Sequence, residues 1–228
     1  MIANFLDDFY DILFRPGQGM RKVGRQKTIW HGLLVYLVVN LIGTLSTASY
    51  QVQLLDLQEL QQLPLPLEVT EGVLGMMPFM ELLTKITLGP LYFLGAVAVL
   101  HLAASLLKGE KNNYQGNEGR EGIKGDQGNV KGLGAVLGYG YLPYVFLAPV
   151  SLAARYVAFD LIQFASLIFF FWALILKVVG IREVYQFSSS RALLCYVLPA
   201  GVILAAFFLF ALLAVIFFAP LMGQMVPL

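Results

Sequence analysis

Charge is scarce in this 228-residue chain: Asp, Glu, Lys and Arg make up 13% of it, about half the share typical of a soluble domain. The lone cysteine, Cys195, excludes an internal disulfide and any cysteine-only metal cluster. A net charge of +1 gives no bulk attraction for nucleic acid. The sequence has no Walker loop, no HExxH, no GxSxG and no close pair of carboxylates inside an apolar run. The expectation is therefore a protein that is not an enzyme and carries no cofactor. No chain of Asp or Glu is embedded in an apolar run, Asp160 lying at a boundary, so an ion-coupled pump is disfavoured. The first 28 residues hold Asp7, Asp8, Asp11 and five basic residues, with no small-residue cleavage site after an apolar core, and predict no signal peptide.

What is present is apolar sequence. Hydrophobic residues make up 58% of the chain and the mean hydropathy is +0.74. A helix crossing the hydrocarbon core needs about 20 apolar residues. Such runs predict an all-α membrane protein, a bundle of five transmembrane helices at about 29–49, 86–107, 133–154, 161–181 and 192–219. The fourth run is interrupted by Lys177, read as a lysine near a helix end that snorkels to the interface. The fifth is long and is expected to tilt or protrude. Of the 15 basic residues, 13 fall before the first run, between the second and third, or between the fourth and fifth; only Lys85 and Arg155 fall on the other side. The positive-inside rule then predicts a cytoplasmic N-terminus and an extracytoplasmic C-terminus. The division expected is a cytoplasmic segment, 1–28, and a membrane domain, 29–228.

The connecting segments are less regular. Residues 4–15 put Phe5, Phe9, Ile12 and Leu13 on one helical face, with Asp7, Asp8 and Asp11 largely opposite, before Pro16 and Gly17 end the run. That pattern fits a helix on the cytoplasmic membrane surface or one packed on the end of the bundle. The segment 50–85 predicts short helices along the outer interface, with Pro64 and Pro66 between them; its acidic residues read as a solvated surface. The loop 108–132 has glycine at every third position from Gly116 to Gly128. A collagen-like helix would need three chains, and the stretch has no proline, so a flexible loop is expected.

Polar groups inside the runs are the candidate sites. Asn40 and Thr44 are one turn apart in the first run and predict hydrogen bonds to a neighbouring helix. His31, His101 and Cys195 lie near helix ends on one side, and interface anchoring explains them better than a shared metal, because their spacing matches no metal motif. Gly134 and Gly138 form a small-xxx-small pair that predicts close helix packing, within the monomer or in a homo-oligomer. Pro90, Pro143, Pro149 and Pro199 fall inside the runs.

The segment Gly138-Tyr139-Gly140-Tyr141-Leu142-Pro143, together with five spans and a cytoplasmic N-terminus, resembles the Yip1 domain family, whose members carry a Gly-Tyr…Pro motif in the third span. Trp172, the stretch GIREVYQFSSSRAL at 180–193 and the opening LFRPGQGMRKVGRQKTIWHGLLVYL are also similar, the last to bacterial members. Eukaryotic members act in vesicle traffic and bind prenylated Rab GTPases. Their long cytosolic N-terminal region and DLYGP-type motif are not found in this sequence, so the resemblance implies fold and topology rather than that activity. Some prokaryotic members accompany export or ABC-transporter systems. The expectation is an accessory or scaffold protein of a prokaryotic cytoplasmic membrane. Its partners would be the lipid bilayer, other membrane proteins and a second copy, and it would bind no nucleic acid. Gly134, Gly138, Tyr139, Gly140, Tyr141 and Pro143 are its candidate contact residues, and Asn40, Thr44 and His101 its candidate intramembrane polar groups. The alternatives are a channel or transporter for a small solute, which requires a polar cavity, and a lipid-binding or membrane-shaping protein.

Overall fold

A computed structural model describes residues 2–54, 67–109, 129–154, 156 and 161–225. The glycine-repeat stretch 116–128 and the Pro64–Pro66 segment lie outside these. The described residues are helical with no strand: α1 (Ile2–Phe14), α2 (Pro16–Gln26), α3 (Ile29–Leu54), α4 (Leu67–Thr87), α5 (Gly89–Gly109), α6 (Val130–Tyr139), a 3-10 segment (Leu142–Phe146), α7 (Leu147–Ala154), α8 (Leu161–Tyr185) and α9 (Ser189–Met225). Five stretches are long and apolar enough to cross a membrane: Ile29–Ser46, Gly89–Leu107, Val130–Ala154, Leu161–Tyr185 and Ser189–Phe217. They coincide with the five runs read from the sequence. With 18 to 29 residues each, at about 1.5 Å per residue, they match a hydrocarbon core about 30 Å thick.

The third span differs from the expectation of one continuous helix. It is built from α6, the 3-10 segment and α7. Pro143 has no N–H to donate and its ring crowds the carbonyl one turn back. The backbone tightens accordingly: Tyr141 N donates to Gly138 O at 3.1 Å and Tyr144 N to Tyr141 O at 3.0 Å. The span starts firmly, since the Asn129 side chain caps α6 by accepting from Lys131 N at 2.9 Å. Pro90 and Pro149 both lie in the first turn of a helix, where proline is best tolerated. Pro199 lies in the interior of α9.

This broken span sits at the centre of the bundle. α6 packs against α2, α3, α5 and α8, and the 3-10 segment against α1, α3 and α8. Residues Gly132 to Gly140 are all buried. The core around them includes Val35, Val39, Val97, Ala104, Leu133, Val136, Leu176 and Ile181. α9 is different: it touches α5 and α8 through its first turns, burying Ala192 and Cys195, and no described residue from Gly201 to Phe217 is buried.

The short helices answer two open points. α1 packs on the end of the bundle through Ile12 and Leu13, with Phe9 half-buried, while Leu6, Tyr10 and Phe14 form a stripe facing away. The helix thus uses one apolar face for the bundle and leaves a second for its surroundings; the side chain of Phe5 lies outside the described residues. Where the sequence predicted Asp8 on the outward polar face, Asp8 is buried. α4 is one helix of 21 residues packed on α3 and α5.

Candidate functional site

Among the described glycines, the closest approaches to neighbouring backbone lie around the third-span bend. A Cβ placed on Gly138 would overlap the backbone of Gly32, and one on Gly32 the backbone of Gly134 and Ala135. One on Gly134 would strike the side chain of Ile29, and one on Gly132 the carbonyl of Gly24. The Gly134/Gly138 pair therefore packs within the monomer, on α3, where the two backbones meet without side chains between them. Tyr139 and Pro143 are buried in the same core.

Gly140 faces a different neighbour. Its added Cβ would lie 2.7 Å from Cγ of Lys177. The lysine turns inward, contrary to the snorkelling expectation: it is 9% exposed and its ammonium sits 3.5 Å from the centroid of the Tyr141 ring. No carboxylate pairs with it among the described residues, so the π face of Tyr141 is its electrostatic partner there. The Tyr141 ring is fixed from another side by Tyr36, edge-on at 4.9 Å. The motif that marks the span is thus a close-packed bend holding a buried cation.

On another side of that bend lies a cleft of about 280 Å³ lined by Val39, Asn40, Gly43, Glu81, Lys85, Tyr141, Tyr144 and Leu147. It brings together three elements: α3, the last turns of α4, and the bend with the start of α7. Thr44 accepts a hydrogen bond from Lys85 Nζ at 2.7 Å, so one of the two intramembrane polar residues does bond to a neighbouring helix. The other bonds to its own: Asn40 Nδ2 donates to Tyr36 O at 2.8 Å. Lys85 also pairs with Glu81 at 2.6 Å. Sequence reasoning read Glu81 as solvated surface and took Lys85 only as a topology marker. Their spacing of four residues on one helix was the available signal.

The two histidines and the cysteine make separate contacts. His31 Nδ1 lies 2.9 Å from Thr28 Oγ1, His101 Nδ1 lies 2.6 Å from the Tyr185 hydroxyl on α8, and Cys195 Sγ lies 3.7 Å from Leu100 O. No group of three metal-ligand residues occurs among the described residues.

Two ion-pair groups lock α1 and α2 to the bundle end. The buried Asp8 carboxylate has Lys22 Nζ at 2.8 Å from one oxygen and Lys27 Nζ at 2.9 Å from the other. Burial alone would push this carboxyl up, but contact with the two ammonium groups outweighs it and holds the group below the usual carboxylate range. Contact with Asp8 in turn raises Lys22 and Lys27 above the ordinary lysine value. The second group ties α2 to α8. Arg21 Nε donates to Glu183 Oε2 at 2.8 Å and Arg182 Nη2 to Glu183 Oε1 at 2.7 Å.

A family model described as the Yip1 domain matches residues 10–213, a range that takes in α2 and the third-span bend and runs into α9. No curated protein and no solved structure matches the chain.

Proposed function

Since the chain belongs to the Yip1 domain family and is an integral membrane protein with five apolar helices, we propose that it is a non-enzymatic scaffold that binds other membrane proteins. Its home on this reading is a prokaryotic cytoplasmic membrane, N-terminus inside, with an export or ABC-transporter system as the kind of assembly it serves.

The observation that carries this reading is α9. From Gly201 to Phe217 the helix stands clear of the bundle, a length of about 26 Å at 1.5 Å per residue. Lipid tails solvate such a surface as well as another helix does, so burial does not drive association; close backbone approach at small residues does. Gly201 and Ala205 provide that spacing, both exposed, and a Cβ on Gly201 would meet nothing within 4 Å. The Gly134/Gly138 pair is spent inside the monomer; the Gly201/Ala205 pair is not. The test is co-purification from native membranes in mild detergent, comparing the natural chain with Gly201→Ile and Ala205→Ile. Loss of a stoichiometric membrane partner in both variants, with an unchanged melting temperature, is the expected result. A partner retained by both, or none in the natural chain, overturns the reading.

The second reading, a channel or transporter, is favoured by the polar cleft beside Asn40. Against it stands the contact of Gly138 on Gly32, where backbone meets backbone and leaves no room for a solute path between α3 and α6. Solute flux through liposomes containing the purified chain would reverse this preference.

A further inference from the structure

The cleft beside the third-span bend has the chemistry of a ligand site, and its polar groups are only partly used. Lys85 has three N–H donors; Thr44 and Glu81 take two of them, leaving one among the described residues. Asn40 spends its amide nitrogen on Tyr36 O, and its side-chain oxygen has no partner among the described residues. The same holds for the hydroxyls of Tyr141 and Tyr144. The cleft therefore offers donors from Lys85 and the tyrosines, and acceptors from Asn40 and the second oxygen of Glu81.

Its charge narrows the ligand class. The lining carries one cation and one anion, Lys85 and Glu81, 2.6 Å apart. A lone anion placed beside Lys85 meets the Glu81 carboxylate, and a lone cation beside Glu81 meets the lysine. A ligand that carries both signs a few atoms apart satisfies both ends. A phosphate takes the free Lys85 donor and the Tyr144 hydroxyl, and an ammonium takes Asn40 Oδ1 and the Glu81 carboxylate.

Size and position decide between a solute and a lipid. About 280 Å³ lies at the lower end of small-molecule pockets and suits a headgroup, not a whole lipid. Glu81 and Lys85 sit in the last two turns of α4, which ends two residues before the second span begins at Gly89. Thr44, the partner of Lys85, is two residues from the end of the first span at Ser46, so on the five-span reading the cleft opens near one boundary of the hydrocarbon. On the same two helices, Leu41 and Leu45 of α3 and Met77 and Met80 of α4 are exposed, apolar surface that acyl chains would cover and a free solute would not need.

We propose that this cleft binds the headgroup of a zwitterionic phospholipid, a phosphodiester bearing a primary ammonium, with the acyl chains lying along α3 and α4. The inference is independent of the scaffold reading, because it uses none of α9.

The test is native mass spectrometry of the delipidated full chain, titrated with phosphatidylethanolamine, phosphatidylglycerol and free phosphoethanolamine. Phosphatidylethanolamine is expected to bind roughly tenfold more tightly than either of the others, about the worth of one charge-assisted hydrogen bond. Glu81→Gln should remove most of that preference, Lys85→Gln should weaken phosphatidylethanolamine binding, and Lys85→Arg should keep both. Tyr144→Phe, which deletes only an oxygen, should weaken phosphatidylethanolamine binding with the melting temperature unchanged, and serves if the charge variants misfold. Equal binding of phosphatidylglycerol, or of the free headgroup, overturns the assignment. So does an unchanged preference in Glu81→Gln, or unchanged phosphatidylethanolamine binding in Lys85→Gln or in Tyr144→Phe.

Discussion

At the scale of single residues, the telling side chains are charged groups in places where charge is costly. Asp8 is the clearest. Two ammonium groups compensate its burial, and both come from α2 or the residue that caps it, so the pairs hold α1 against α2. Its carboxyl is held below its ordinary value of 3.8, so its contribution is present above that value and is lost as pH falls through the lower folded value. Lys22 and Lys27 are raised above 10.5, so theirs is present below that value and is lost as pH climbs through the raised one. Docking of α1 is therefore expected to be constant between those limits and to weaken outside them, measured as the melting temperature of the chain in detergent against pH. Asp8→Asn should weaken docking at neutral pH by about 1.5–3 kcal/mol, the worth of a hydrogen bond to a charged group. A melting temperature that does not fall in this variant would mean the apolar contacts of Ile12 and Leu13 suffice alone.

Among elements, the third span sets the architecture. Its glycines remove side chains where α3 and α6 meet, and Pro143 forces the tightened turn that presents Tyr141 to Lys177 on one side and to the cleft on another. Because Gly138 meets backbone, a methyl group there has no side chain to displace and the helices must part. Gly138→Ala is expected to destabilise the chain by about 3 kcal/mol, the upper range for overpacking, read as a lowered melting temperature in detergent. Gly95→Ala, on α5 where an added Cβ meets nothing within 4 Å, is the control and should be neutral or slightly stabilising. If both variants melt like the natural chain, the α3–α6 contact is looser than described. α8 ends with a comparable economy: Gln186 takes a positive φ of 54° while Phe187 N reaches back to Arg182 O at 3.1 Å, closing the helix beside the Glu183 ion pairs.

For the whole molecule, the charge distribution along the chain and the packing of the helices agree on one arrangement. Residues 2–28, which form α1 and α2 and hold five of the basic residues, close one end of the bundle, and α4 packs along α3 and α5 toward the other. The proposed orientation predicts that in a Cys195→Ser background a cysteine replacing Arg25 is labelled by an impermeant thiol reagent only after the membrane is opened. A cysteine replacing Gly72 should be labelled in intact cells. The reverse pattern would invert the topology and place the headgroup cleft in the inner leaflet.

The sequence by itself determined the membrane class, the five spans and the family resemblance. Apolar length and the Gly-Tyr-Gly-Tyr-Leu-Pro motif are local properties of a chain, legible without knowing what packs on what. It also singled out Gly134, Gly138, Asn40 and Thr44 as residues that would meet a neighbouring helix, though the Asn40 amide turns back to its own helix at Tyr36 O. Only the tertiary structure decided which helix they meet, and that Asp8, Lys85 and Lys177 are not the solvated or snorkelling charges their local sequence suggests. The side chain of Lys177 turns toward Tyr141, some 36 positions away, and Lys85 toward Thr44, 41 positions away. The environment that decides whether a charge is buried, paired or left able to bind a ligand is assembled from distant segments, and no window of sequence contains it.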